Sequence, residues 1–181
     1  MGYYETQTIG KVMSESDRRR VATQKRVLDV TCGGRMMWFN KNHPDALYLD
    51  RREVPVGTIE QQPGWCVAPD VVADFTDLPF EDDTFFLVVF DPPHIEMMNP
   101  SGIIAQKYGA LLGDWRTEIR AGFDECMRVL KPSGVLIFKW GEASVPVSEL
   151  VELFGVEPLF GHTTAKSGKT KWMTYMKEMT P

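Results

Sequence analysis

The chain has 181 residues, 43% of them hydrophobic and 25% charged, with a formal net charge of −5. Those proportions exclude a disordered or fibrous chain, and a globule of this length buries roughly 70% of the surface its unfolded form exposes. The acidic balance excludes a protein that grips nucleic acid with its whole surface, because phosphate contacts come from clustered Lys and Arg.

Residues 1–26 read as an N-terminal extension or helix ahead of a core over 27–177, in one domain spanning 1–181. Residues 1–22 hold no apolar signal core, and the longest apolar run, 85–90, is far short of the roughly 20 residues of a membrane span. A cytoplasmic location without membrane contact is expected. Cys32, Cys66 and Cys126 are odd in number and never form a Cys-x-x-Cys pair, so neither a disulfide framework nor a metal site is expected. Arg18-Arg19-Arg20 with Lys25-Arg26, and Lys166, Lys169 and Lys171, form local basic clusters that read first as solvated faces.

Val27-Leu28-Asp29-Val30 is a strand running into the small-residue turn Thr31-Cys32-Gly33-Gly34, which lets a ligand approach the backbone at the strand's carboxyl end. About 20 residues on, Leu47-Tyr48-Leu49-Asp50 ends a second strand in a carboxylate, the spacing at which an acid accepts from both hydroxyls of a ribose. Residues 52–70 are rich in Pro and Gly and give no helix. Strands over 71–73 and 86–90 end in Asp74-Phe75 and Asp91-Pro92-Pro93-His94. The prolines hold Asp91 and the Pro92 carbonyl extended and outward. Residues 95–113 read either as a loop over that crevice or as an ordinary crossover. A helix over 114–130 places Trp115, Ile119, Gly122 or Phe123, Cys126 and Leu130 on one face, and Lys131-Pro132-Ser133-Gly134 ends it. In the strand over 135–140, Trp140 is either a wall of an acceptor pocket or a core residue. Pro146 opens a helix with Val147, Leu150, Val151 and Phe154 as its stripe. Strands over 157–162 and 172–177 form a closing hairpin, where His162 and the lysines that follow are phosphate contacts or solvated surface. The strands' near-continuous apolar character suits a parallel sheet covered on both faces.

The segment 27–34 resembles the first motif of class I S-adenosylmethionine-dependent methyltransferases, in which an acid at the strand end precedes a Gly-containing loop. The resemblance implies an α/β, Rossmann-like, mostly parallel sheet closed by a C-terminal antiparallel hairpin, with helices on both faces. It also implies S-adenosyl-L-methionine as cofactor. Asp29 matches the acidic position and Cys32-Gly33 the core of the loop, while Thr31 and Arg35 stand where many members carry glycine. Asp29, Thr31, Cys32 and Gly33 are thus implied at the methionine end, Asp50 at the ribose, and Asp74 and Phe75 at the adenine. Gly33-Gly34-Arg35-Met36 lacks the G-x-G-x-x-G of nicotinamide enzymes.

Asp91-Pro92-Pro93-His94 resembles the Asp/Asn-Pro-Pro-Tyr/Phe motif of amino-methyltransferases acting on bases in nucleic acids, with His94 at the aromatic position. An aromatic amine is a poor nucleophile, and two acceptors on its N–H groups localise its lone pair toward a methyl donor. The resemblance therefore implies that Asp91 and the Pro92 carbonyl orient an exocyclic amine while His94 packs on the ring. Residues 78–86 and 129–136 resemble small-molecule methyltransferases instead. The leading expectation is methylation of a nucleobase amine in DNA or RNA, a duplex base being flipped out. A small-molecule or protein acceptor on the same fold, or a non-catalytic cofactor-binding module, are the alternatives. The chain has no room for a target-recognition domain, which leaves a partner protein or a homodimer as a source of specificity.

Overall fold

Strand-forming residues and turn signals alternate through the first ninety positions, and the computed structural model, which describes residues 14, 16, 22, 24–96, 102–162 and 169–179, turns them into a parallel array. The elements are β1 (Val27–Asp29), β2 (Ala46–Asp50), β3 (Val71–Val72), β4 (Phe85–Phe90), α1 (Ile103–Tyr108), α2 (Trp115–Val129), β5 (Leu130–Gly141), α3 (Val147–Phe154), β6 (Phe160–Gly161) and β7 (Thr170–Met176). One sheet has the order β3-β2-β1-β4-β5-β7-β6. The pairs among β1 to β5 are parallel, and β7 runs antiparallel to both β5 and β6. The chain works outward from β1 to β3, then returns to place β4 on the other side of β1. That reversal opens a crevice at the carboxyl ends of β1 and β4.

The principal core lies between the sheet and the pair α2–α3. Leu136, Phe138 and Trp140 alternate along β5 on this face, all fully buried. Phe123 of α2 and Phe154 of α3 stack at 4.1 Å, and Phe138 meets Phe154 edge-on at 5.4 Å. The Asp114 side chain accepts from the Thr117 N–H at the start of α2. Gly122 lets this helix approach closely, since a Cβ there would lie 2.5 Å from the Phe75 ring. Across β1 and β2 the opposite face is covered by Trp38, which packs edge-on to Tyr48 at 5.0 Å beside Cys32 and Ala46. Residues 31–45 reach that position through turns, not through a crossover helix.

Three segments depart from expectation. Lys131-Pro132-Ser133-Gly134 is not a separate turn but the start of β5, where the pairing with β4 shifts register between Phe85 and Leu87. Pro132 has no N–H to give a ladder, and the shift accommodates it. The loop over 95–113 contains α1. Of the strand expected over 157–162, only Phe160–Gly161 pairs, at the sheet edge. Residues 97–101 and 163–168, and most of 1–26, lie outside the described residues.

Candidate active site

A cavity of about 370 Å³ opens at the carboxyl ends of β1, β2, β4 and β5. It lies within the roughly 300–1,000 Å³ usual for small-molecule sites. One wall is the turn after β1. There the Cys32 N–H donates to the Leu49 carbonyl at 2.9 Å and the Gly33 N–H to Asp50 Oδ2 at 3.0 Å. Gly33 has a φ of +48°, and a Cβ on it would find nothing nearer than the Thr31 carbonyl at 3.9 Å, so this position faces open space. Gly34 has no such room: a Cβ there would lie 2.6 Å from Trp65 Nε1.

The two non-glycine positions in this turn have distinct uses. Arg35 adopts the left-handed backbone itself, with a φ of +53°, and its side chain leaves the cavity altogether. The guanidinium donates to the carbonyls of Lys41 and Ala68, each at 2.7 Å, and to Asn42 Oδ1 at 3.0 Å. It also lies over the Tyr48 ring at 3.7 Å. These bonds clamp residues 31–45 to the sheet in place of a helix. Thr31 Oγ1 accepts the Asp91 N–H at 2.9 Å, a strap between the two halves of the site that glycine could not supply.

Asp29 does not line the cavity; it is fully buried beneath the turn. Its carboxylate accepts from Trp38 Nε1 at 2.7 Å and from the Thr31 N–H at 3.2 Å. Burial pushes its pKa up to about 7, against the lowering effect of those two donors. Asp50 does line the cavity. Besides Gly33 it holds Arg52, whose backbone N–H and Nε donate to Oδ1 at 2.9 and 3.2 Å. A carboxylate offers about four acceptor positions, so one remains open to a ribose hydroxyl. Phe75 borders the cavity while its ring packs on Phe90 at 5.2 Å. Asp74 stands outside it, accepting from the Thr76 N–H and hydroxyl at 3.0 and 2.9 Å.

The other wall is Asp91-Pro92-Pro93-His94, all four of which border the cavity. Asp91 Oδ2 is held by the ammonium of Lys139, while Oδ1 is buried without a hydrogen-bond partner, with His94 Nδ1 at 4.0 Å from it. His94 Nδ1–H donates to the Pro92 carbonyl at 3.2 Å. The His94 ring rests against Trp140 at 5.9 Å and directly over Gly141, where a Cβ would come within 2.4 Å of it. Trp140 itself belongs to the core, fully buried and donating to the Val145 carbonyl at 2.9 Å.

Lys139 is one of the cavity residues that sequence reading passed over. The signal was present as a period of two: Val135, Ile137 and Lys139 share the face opposite Leu136, Phe138 and Trp140. The pairing of Phe90 with Phe138 then sets Lys139 level with Asp91. Among the described residues no group of His, Cys, Asp and Glu could hold a metal ion, and no helix is long and apolar enough to cross a membrane.

No family model and no curated protein matches the sequence. Solved structures do. The protein PH0226 from Pyrococcus horikoshii has a TM-score of 0.54 at 18% identity, over 94% of this chain and 95% of its own. An S-adenosylmethionine-dependent methyltransferase from Methanosarcina mazei has a TM-score of 0.53 at 14% identity, over 87% and 94%. The 16S rRNA adenine-1408 N1-methyltransferase from Catenulisporales acidiphilia, solved with its cosubstrate S-adenosylmethionine, has a TM-score of 0.50 at 10% identity, over 93% of each chain. This is the class I methyltransferase fold. At such identities the likeness is one of fold, and in this class I sheet the cavity lies at the β1–β4 reversal.

Proposed function

We propose that the protein is an S-adenosyl-L-methionine-dependent methyltransferase that methylates an exocyclic amine of a nucleobase in DNA or RNA, in the cytoplasm. The cofactor, when bound, supplies an electrophilic methyl group on a sulfonium. Asp50 takes a hydroxyl of its ribose, Thr31, Cys32 and Gly33 border its methionine end, and Phe75 its adenine, with Asp74 an outer member of that wall. Asp29 acts from beneath, shaping the turn through Thr31 and Trp38.

The observation that carries the reading is the state of Asp91. Lys139 holds the carboxylate and the Thr31 strap holds the backbone N–H of Asp91 at the cavity wall, leaving Oδ1 without a hydrogen-bond donor and 4.0 Å from His94 Nδ1. A buried acceptor left unpaired costs roughly 1–3 kcal/mol, so an N–H donor is the ligand chemistry it favours. The second lone pair of the Pro92 carbonyl, the first being engaged by His94, takes the other N–H of the amine. Held in this way, the amine would turn its nitrogen lone pair toward the methyl, and as the N–C bond formed at the expense of the methyl–sulfur bond, leaving a neutral thioether, Asp91 Oδ1 would take the proton the amine sheds. His94, seated on Gly141, packs against the base.

The resemblance of residues 78–86 and 129–136 to small-molecule enzymes bears little on the acceptor. None of them borders the cavity, and Leu78, Phe80, Val129 and Leu136 are core residues. Arg35, turned away from the cavity, removes the steric ground for a non-catalytic module. The test is transfer of labelled methyl to duplex DNA, single-stranded DNA, total RNA and a metabolite extract, with Asp91→Ala alongside. Label is expected in a nucleic-acid fraction, lost by at least about 10²-fold in the variant with cofactor binding retained. Label confined to metabolites overturns the substrate; label that arises only when a second protein is added identifies a specificity partner.

A further inference from the structure

We infer that the last turn of α1 is the acceptor subsite, where Tyr108 stacks on the target base and Lys107 pairs with a phosphate next to it, so that the acceptor enters as a nucleotide of a single strand. This rests on the nucleobase reading above and specifies the form in which the base arrives.

The placement comes first. Ile104, Lys107 and Tyr108 border the cavity. Gly109 follows with a φ of +77°, and a Cβ on it would lie 2.9 Å from Pro93 Cγ, so the chain leaves α1 in contact with the reaction segment. Tyr108 is thus one residue from a direct contact with the wall that holds Asp91. The turn is also fixed in place: Arg52 donates through Nη1 to the Gln106 carbonyl at 3.2 Å and through Nη2 to the Lys107 carbonyl at 3.3 Å, while its Nε holds Asp50.

The chemistry of the two side chains comes next. Tyr108 is 47% exposed, and among the described residues no aromatic ring packs on it. Four cations border the cavity. Arg51 lies 3.8 Å from Asp74 and 3.9 Å from Glu118, Arg52 pairs with Asp50, and Lys139 pairs with Asp91. Among the described residues Lys107 alone of the four has no carboxylate partner; its ammonium lies 5.1 Å from the Tyr108 ring and 5.7 Å from the Trp65 ring. A solvent-facing ring beside an unneutralised ammonium is the pairing by which proteins hold single-stranded nucleic acid, base on ring and phosphate on cation. It also reconciles a net charge of −5 with a nucleic-acid substrate, because the contact is local.

The test is the fluorescence anisotropy of a short, labelled single-stranded oligonucleotide, read at low and moderate salt for the wild type and for Lys107→Gln, Tyr108→Leu and Tyr108→Phe. Lys107→Gln is expected to weaken binding about tenfold at low salt and to flatten the salt dependence. Tyr108→Leu is expected to weaken it by about fivefold or more, with Tyr108→Phe close to wild type. Unchanged thermal midpoints establish that all three variants are folded. A wild type that does not bind the oligonucleotide, or variants that bind it as wild type does, overturns the subsite. An oligonucleotide held through Lys107 and Tyr108 but never methylated overturns the proposed reaction and leaves the subsite standing; one methylated equally well by Lys107→Gln and Tyr108→Leu does the reverse.

Discussion

The stretch from β1 through β2 and the stretch from β4 through β7 are stabilised by different kinds of interaction. Asp29, Arg35 and Asp50, the buried charged residues among those described, all fall in the first, and their partners are the turn backbone, Trp38 and Arg52. The second holds Phe85, Phe90, Phe138, Trp140, Phe154 and Tyr175, each almost wholly buried and packed ring against ring. Hydrogen bonds to charges are directional and set backbone shape; apolar contacts are spread over many neighbours and set overall stability. The β1–β2 side of the cavity is thus shaped by a few polar clamps, and the sheet behind its β4–β5 side by a shared core.

Substitutions can test that contrast. The largest effect on stability is expected from Phe154→Ala, which opens the space between α2, β5 and β7 and should cost about 3–5 kcal/mol in chemical denaturation. Because Phe154 does not border the cavity, cofactor affinity in the folded fraction should hold; a parallel loss of affinity would mean the two regions are not separable. Arg35→Met should cost roughly 2–4 kcal/mol, since the carbonyls of Lys41 and Ala68 lose their donor. Here cofactor affinity should fall as well, by about tenfold or more on titration. Unchanged affinity would show that the clamp serves the fold alone.

Gly141→Ala is a smaller change on the opposite wall. It should displace the His94 ring, lowering kcat while altering stability by about 1–3 kcal/mol. A variant with wild-type kcat would remove His94 from the site. The smallest effect concerns pH. Asp29 has an ordinary pKa of 3.8 and is raised to about 7 by burial, so between those values the native chain holds a proton that the unfolded chain has released. Its contribution to stability is therefore full below the lower value, declines as pH rises toward the upper one, and is level beyond it. Thermal midpoints of wild type and Asp29→Asn across that window should show the decline in the wild type and a shallower one in the variant.

How much was legible in the sequence differs between the two regions for the same reason. Periodicity reports which face of an element is apolar, so α2 and α3 were readable from spacing, as was the antiparallel ending. Carboxylates at strand ends were readable as well, because Asp29, Asp50 and Asp91 each terminate an apolar run. Polar clamps have no period. Nothing in the spacing of Arg35, Lys41 and Ala68 says that one side chain joins them, and Arg35 stood out only as a residue occupying a glycine's place. Asp74 looked equivalent to Asp50 at the end of its strand, yet it caps its own turn through Thr76.

The sequence by itself determined the α/β class, the parallel array with its closing hairpin, and which strand ends carry acids, because local propensity and burial period act within a few residues. Tertiary structure decided which of those acids share a cavity and what each one meets there. Lys139 reaches Asp91 only because β5 lies beside β4 in a register that pairs Phe90 with Phe138. The end of α1 reaches Pro93 only because Arg52 and the backbone at Gly109 bring it there. The Lys139–Asp91 and Arg52–Gln106 contacts join residues 48 and 54 positions apart, and strand register and a turn's handedness are fixed by the packed sheet rather than by any local run of the chain.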